Sequence, residues 1–352
     1  MLAASAPTCK PPRATFAAFL RSSEPRHALG HALQGVGDAR RPGPRRVPMG
    51  AVLTAAVAGF AGGLGAVRSW EDALRHRAPY RHLLRATGHT GTISDDTFGL
   101  AFEAASLEDL RAVLRSQAKR ELNRWSTGPH ANSRLGHELI KLDARRLAAW
   151  PVLAIDGHTL FSCQEQKCEA CIRIPNGTVE RWYHKVVVAQ WVGTHPAMVV
   201  DFEPIGPSNG ASKDSETAAA KRLLARVAAT LPDTFRVLLL DALYDSEPMR
   251  AAIAAVATLV MERWSQENTG FHELAGQLNL DRAHVHKGRA NAAWTVVAVA
   301  LIAYNAWQAY LYRVLKLDPM RPGRTWGDLR RDMWSSLGER EAPLALPTTG
   351  PP

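Results

Sequence analysis

Apolar and polar residues recur with helical spacing from Met49 to Ala149. Ser94, followed by two aspartates, is a typical N-cap, and the acidic residues after Ser106 suit the first turn of another helix. The pattern predicts helices at 49–63, about 69–87, 96–104 and about 106–125. We therefore expect an all-helical N-terminal domain over residues 26–149, which suits either DNA binding or a purely structural bundle.

The pattern changes to strands at Trp150. Short apolar runs bounded by turn residues predict strands at 151–156, 182–192, 197–203, 237–241 and 258–261. Helical spacing predicts helices at 215–231, 246–257 and 264–278, and one long apolar helix at 288–315. Strands that alternate with helices predict an α/β domain over residues 150–320.

Both ends of the chain lack these patterns. Residues 1–25 are rich in Ala, Pro and Arg and residues 341–352 in Pro, so we expect a disordered tail over 1–25 and a C-terminal tail over 321–352. Two apolar stretches, 51–67 and 292–303, raise the question of a membrane span. The first is rich in glycine and the second is short, which favours buried helices for both.

The charge balance favours a polyanionic partner. Lys and Arg number 43 against 33 Asp and Glu, a net charge of +10, and the pI is near 9.8, so nucleic acid is the expected partner class. The four cysteines are too few and too clustered for a secreted disulfide framework. Residues 1–15 lack the apolar run of a signal peptide. We expect a globular cytoplasmic protein without a membrane span.

Two of the predicted strands end in an aspartate, Asp156 and Asp241. The carboxyl ends of strands in open α/β sheets share an edge where ligands bind, and Glu267 on the following helix could reach that edge. Converging carboxylates repel one another unless hard cations such as Mg²⁺ lie between them. Two ions about 3.5–4 Å apart would support displacement at a phosphodiester. An aspartate at a strand end is also commonly a cap or turn residue, so the pattern alone leaves both interpretations open.

The sequence around these acids adds further information. It contains AIDGH at 154–158, YHKVVVA at 183–189, LDALY at 240–244, RWSQEN at 263–268 and LDRAHVH at 280–286. These segments, in this order, resemble those of DDE-type transposases of bacterial insertion sequences. A looser resemblance extends over 26–120, including Asp38-Ala-Arg40 and the SDDT run at 94–97.

The resemblance implies an RNase H-like core, a mixed sheet flanked by helices, that cleaves transposon ends and transfers the freed 3′-hydroxyl to target DNA. Asp156, Asp241 and Glu267 would then be the catalytic triad and the ligands of two Mg²⁺ or Mn²⁺ ions. Arg263, four residues before Glu267 on the same helix face, and Asn268 would contact double-stranded DNA. Lys287 would supply positive charge that the family carries elsewhere. A homodimer is the expected active form.

The chain departs from the family in one respect that bears on activity. Only 26 positions separate Asp241 from Glu267, where relatives of this kind carry a long β-rich insertion that helps to hold the cleaved DNA end. Val260 and Leu274 also stand where the family has a tyrosine and a lysine. The alternative function is therefore a truncated, catalytically inactive transposase remnant that only binds DNA.

The cysteines Cys163, Cys168 and Cys171 suggest a zinc knuckle, with His158 or His184 as a fourth ligand. Three thiols are an incomplete set, and loop cysteines in a first hairpin are the alternative interpretation. A zinc-stabilised interaction protein is the corresponding third hypothesis for the function.

Overall fold

A computed structural model describes most of the chain. The described residues are 16–21, 29–43, 47–76, 80, 83–123, 152–166, 168–176, 179–192, 196–207, 214–232, 234–235, 237–244, 246–254, 259–262, 290–315 and 325–336. Together they form a mixed α/β fold in which helices flank a mixed sheet.

Helices make up the N-terminal part of the fold and both of its outer layers. The described α-helices are α1 (Phe16–Arg21), α2 (Leu29–Gln34), α3 (Met49–Ala61), α4 (Val67–His76), α5 (Asp95–Ala104), α6 (Leu107–Asn123), α7 (Glu216–Thr230), α8 (Glu247–Ala254), α9 (Ala290–Ala309) and α10 (Trp326–Ser336). Ser94 caps α5 as predicted, because its hydroxyl accepts a hydrogen bond from the Thr97 amide at 3.3 Å. A π-helical turn, Tyr310–Val314, continues α9.

Antiparallel and parallel pairs together build the sheet. Its strands are β1 (Val152–Cys163), β2 (Ile172–Asn176), β3 (Val179–Val192), β4 (Met198–Ile205), β5 (Val237–Leu240) and β6 (Leu259–Glu262). The order is β2-β3-β1-β5-β6, and β4 also pairs with β3. β3 runs antiparallel to β1, β2 and β4, whereas β5 runs parallel to both β1 and β6.

The two faces of the sheet bury different layers of helices. Side chains of a strand alternate between its faces. Val187 and Ile155 accordingly share a core with Leu223 and other residues of α7, so we call this the α7 face. Val186 belongs to a second core that includes α9 and the N-terminal helices, so we call this the α9 face. The N-terminal helices therefore share an apolar core with the sheet.

Helix α9 lies at the centre of this second core. Among the described residues, the helical segment Ala290–Val314 is long and apolar enough to cross a membrane, and 89% of its most apolar window is buried inside the protein. Every residue of α3 is also buried. Both predicted buried helices are thus confirmed as core helices. Asn305 of α9 holds the backbone of β4, since its side-chain amide accepts from the Val199 nitrogen and donates to the Val199 oxygen, each at 2.8 Å.

Charged side chains join β4 to helices of both layers. Asp201 on β4 is fully buried, and its Oδ2 lies 2.9 Å from Arg115 of α6 and 2.8 Å from Arg226 of α7. Glu203 accepts from Arg226 at 2.8 Å and from Arg111 of α6 at 3.2 Å. We call these five residues the arginine network. It balances the buried carboxylates, which would otherwise be costly to hold away from water.

Several predicted boundaries need correction. The expected disordered tail over 1–25 contains α1, whose Phe16 and Phe19 are buried and contact Tyr310 with their rings. The expected C-terminal tail contains α10, in which the Trp334 ring nitrogen donates to the Gly62 oxygen at 3.1 Å. In both cases apolar side chains in a biased sequence find a distant core, which composition does not reveal. β2 was not predicted, and β1 continues past Asp156 to Cys163. The predicted helix at 264–278 lies outside the described residues.

Candidate active site

Asp156 and Asp241 lie level with each other on two neighbouring strands in the middle of the sheet. β1 and β5 are parallel neighbours in which Ala154 is paired with Leu239. Continuing that register by two residues brings Asp156 level with Asp241, which directly follows β5. Neighbouring strands are about 4.8 Å apart. The register thus places the two acids level with each other, Asp241 just after the end of β5 and Asp156 inside β1, which continues to Cys163.

A buried tyrosine lies beside these two acids. Tyr244 follows Asp241 in a short 3₁₀ turn, and its hydroxyl donates to Glu216 Oε1 at 2.8 Å. Burial, followed by the negative charges of Glu216, Asp156 and Asp241, raises the pKa of Tyr244 far above its usual value. The hydroxyl therefore remains protonated.

Glu216 is a nearby acid that the sequence analysis missed. It is the first residue of α7, whose N-cap Ser215 accepts from the Ala218 amide at 3.1 Å. Its carboxylate lies against Gly157, where an added Cβ would come within 2.2–2.4 Å of the carboxylate atoms. Lys185 of β3 forms an ion pair with it. An acid in a first helical turn usually serves the helix dipole, so the sequence around Glu216 gave no signal of this contact.

The two faces of the sheet divide these residues. Gly157 and Lys185 lie in alternation with Ile155 and Val187 on the α7 face, where Glu216 meets them. Asp156 directly precedes Gly157 on β1 and therefore lies on the opposite, α9 face, where its register partner is Val188. After β6 the chain leads through residues 263–289 to α9, which covers that same face.

The remaining predicted site residues lie outside the described part of the chain. They are Glu267, Arg263, Asn268 and Lys287. Their roles stay predictions from the resemblance. Asp241 also fits the alternative interpretation as a turn residue, because its Oδ1 accepts from the Leu243 amide at 2.5 Å.

A second constellation lies on β3 and the β1–β2 connection. The sulfurs of Cys168 and Cys171 are 3.8 Å apart, and His184 Nε2 lies 3.1 Å from the first and 3.9 Å from the second. Burial raises the pKa of the Cys168 thiol to about 11. The histidine that lies beside these two cysteines is His184 and not His158.

Cys163 does not belong to this group of ligand atoms. It is the last residue of β1, paired with Trp182, and its thiol donates to the Glu165 oxygen at 3.0 Å. The connection that follows turns away from β1 before it brings Cys168 and Cys171 to His184. Of the three predicted thiol ligands, the fold thus brings two together with a histidine.

The two constellations differ in the metals that they could hold. Asp156 and Asp241 offer carboxylate oxygens, which suit hard cations such as Mg²⁺ and Mn²⁺. Glu216 meets the other face of the sheet and, among the described residues, completes no group of three ligands with them. The thiols and imidazole of the second group suit zinc.

In comparisons with known proteins, no family model, no curated protein and no solved structure matches this chain.

Proposed function

We propose that this protein is a DDE-type transposase that cleaves and joins DNA with the help of divalent cations. The observation that carries the proposal is the level placement of Asp156 on β1 and Asp241 directly after β5, on adjacent parallel strands. The two acids are 85 positions apart in the sequence. The fold, rather than the local sequence, therefore brings them level.

The sheet supports an RNase H-like core as the finer description of the fold. Its three long strands β1, β3 and β4 are antiparallel neighbours, and β5 and β6 extend the sheet parallel to β1. A sheet of this order, with helices on both faces, an acid on its first core strand and an acid just after its fourth, is compatible with what the resemblance implies. The extra strand β2 lengthens the sheet beside β3 without changing that order.

The residues present fit a divalent-cation site. Asp241 is exposed and Asp156 is partly exposed, so solvent reaches both side chains. When bound, two divalent ions would supply Lewis acidity on both sides of the scissile phosphate. Asp156 and Asp241 would hold them, and Glu267 is the third ligand that the resemblance implies. Glu216 would hold β3 and the turn after β5 in place through its ion pair with Lys185 and its hydrogen bond with Tyr244.

One observation favours the second candidate function, a remnant that binds DNA without cutting it. β6 follows α8 closely and pairs with β5, and Glu267 comes five residues after β6 ends. The β-rich insertion of related transposases therefore has no counterpart between Asp241 and Glu267. The net charge of +10 would still support binding to DNA.

A cleavage assay on the full chain separates the two candidates. The substrate is a DNA duplex that carries the sequences flanking the gene, incubated with Mg²⁺ or Mn²⁺. We expect specific nicking by the wild type and a loss of at least about 100-fold in Asp156→Asn, Asp241→Asn and Glu267→Gln. Asp72→Asn, which changes an exposed acid on α4, is the matched control and should cut normally.

Each outcome decides between the candidates. Binding of the duplex without nicking by the wild type would favour the inactive remnant. Nicking that survives in Asp156→Asn or Asp241→Asn would overturn the site assignment. Nicking that survives in Glu267→Gln would exclude Glu267 as the third ligand.

A further inference from the structure

The β1–β2 connection folds back against β3 and brings three potential metal ligands, Cys168, Cys171 and His184, together on the α9 face of the sheet. We call this group of residues the pocket. Cys168 and Cys171 form a Cys-x₂-Cys turn, which is closed by a hydrogen bond from the Cys171 amide to the Cys168 oxygen at 3.3 Å. His184 of β3 is buried and faces this turn. Two cysteines on a tight turn and a histidine from a neighbouring strand are a ligand pattern of structural zinc sites.

The separations of the three ligand atoms match those of a tetrahedral zinc site. Zinc binds thiolate sulfur at about 2.3 Å and imidazole nitrogen at about 2.0–2.1 Å. Tetrahedral angles then place two sulfurs about 3.8 Å apart and a sulfur and a nitrogen about 3.6 Å apart. The observed sulfur separation is 3.8 Å, and the two sulfur–nitrogen separations, 3.1 and 3.9 Å, lie on either side of the ideal value.

The pocket is separate from Asp156 and Asp241. His184 stands four positions along β3 from Val188, the register partner of Asp156. At about 3.3 Å per residue this puts the cysteine turn about 13 Å from the level of Asp156. The carboxylate oxygens and the thiols also select different classes of metal.

The pocket also contacts the start of α9. The ring of His184 lies edge-on to Trp294, with centroids 5.2 Å apart. Glu169, between the two cysteines, accepts a hydrogen bond from the Ala290 amide at 2.9 Å. A metal held here would fix the β1–β2 connection to β3 and, through these contacts, to the N-terminus of the core helix.

We propose that Cys168, Cys171 and His184 supply three of the ligands of one zinc ion. The ion joins the β1–β2 connection to β3 and supports the docking of α9. This site does not depend on the proposed transposase activity.

Zinc content of the full-length protein tests the proposal. The protein is produced in zinc-supplemented medium, freed of loosely bound metal by gel filtration, and analysed by elemental mass spectrometry. We expect about one zinc per chain in the wild type, and at least a five-fold loss in Cys168→Ser, Cys171→Ser and His184→Ala. Cys163→Ser, which changes a nearby thiol outside the pocket, is the matched control and should keep its zinc.

A second measurement covers variants that fail to fold. Wild-type protein stripped of metal is titrated with Co²⁺, and we expect the thiolate-to-cobalt absorption and the intense d–d bands of a tetrahedral site, saturating at one equivalent. Wild-type protein that holds no zinc and gives no such spectrum would overturn the proposal. So would a Cys168–Cys171 disulfide in the purified protein, or loss of zinc in Cys163→Ser equal to that in the pocket variants.

Discussion

The protein keeps acidic residues in two places and surrounds them differently. On β4, Asp201 is fully buried and is held by arginines from α6 and α7. Where β1 and β5 lie side by side, Asp241 is exposed and Asp156 is partly exposed. The first group is buried among guanidinium groups, whereas solvent reaches the second.

This difference separates a structural use of acids from a functional one. Asp201 is a strand acid just as Asp156 is, and its residue type alone would qualify it for a metal site. Its Oδ2 atom, however, accepts from Arg115 and Arg226 within 3 Å and its Oδ1 atom from the Phe202 amide at 2.8 Å, so it binds helices rather than ligands. Partners and exposure, rather than residue type, identify the candidate active site.

The largest effect should come from breaking the arginine network. We expect Asp201→Ala to lower the free energy of unfolding by about 3–5 kcal/mol, because it leaves buried guanidinium groups without their counter-charge. Urea denaturation followed by circular dichroism measures this. Asp72→Ala, on the surface of α4, should change it by less than about 0.5 kcal/mol. An equal effect of the two would show that the network contributes no more than a surface charge.

A smaller loss is expected where Glu216 meets the sheet. A methyl group at Gly157 would overlap the Glu216 carboxylate at 2.2–2.4 Å, so Gly157→Ala should cost about 1–3 kcal/mol through forced displacement. Gly99→Ala on α5, where no atom lies within 4 Å of the added methyl group, should instead stabilise the protein by about 0.4–1 kcal/mol. Thermal unfolding of both variants checks the contrast, and a neutral Gly157→Ala would contradict the close contact.

Removal of the Tyr244 hydroxyl should lower the stability less than the change at Gly157. Tyr244→Phe removes the hydrogen bond to Glu216 and is expected to lower the free energy of unfolding by about 1–2 kcal/mol, since a hydrogen bond to a charged group is among the stronger ones. The measurement is urea denaturation at neutral pH. Glu216→Gln keeps an acceptor for the same hydroxyl, and should therefore lose less than Tyr244→Phe. The reverse order would mean that Glu216 is held mainly by Lys185.

The smallest change in stability is expected for a substitution of Asp241, the exposed acid after β5. Asp241→Asn is isosteric at an exposed position, and it relieves repulsion with nearby carboxylates, so we expect a change of less than about 0.5 kcal/mol. Urea denaturation without divalent cations checks this. A loss comparable to that of Asp201→Ala would show that Asp241 is a structural turn residue and not an available ligand.

Local signals in the sequence were sufficient for part of this fold. The Ser94 cap, the helix Glu216–Thr230 and the strand that ends before Asp241 were all predicted, because each depends on neighbouring residues. β2 was missed because Pro175 breaks its strand pattern within five residues.

Other features depend on contacts between distant parts of the chain. Glu216 reaches Gly157, and Phe16 is buried against Trp307, with ring centroids 4.8 Å apart. No local pattern records such pairs. The choice of His184 over His158 as the partner of the cysteines likewise follows from the path of the β1–β2 connection.

Binding of Mn²⁺ tests the central account most directly, because it requires no knowledge of the DNA substrate. Isothermal titration of the full-length protein, with zinc saturating the cysteine pocket, should show one or two Mn²⁺ sites in the wild type and in Asp72→Asn. The account predicts that Asp156→Asn combined with Asp241→Asn abolishes this binding while the protein stays folded. Unchanged Mn²⁺ binding in that double variant would contradict it.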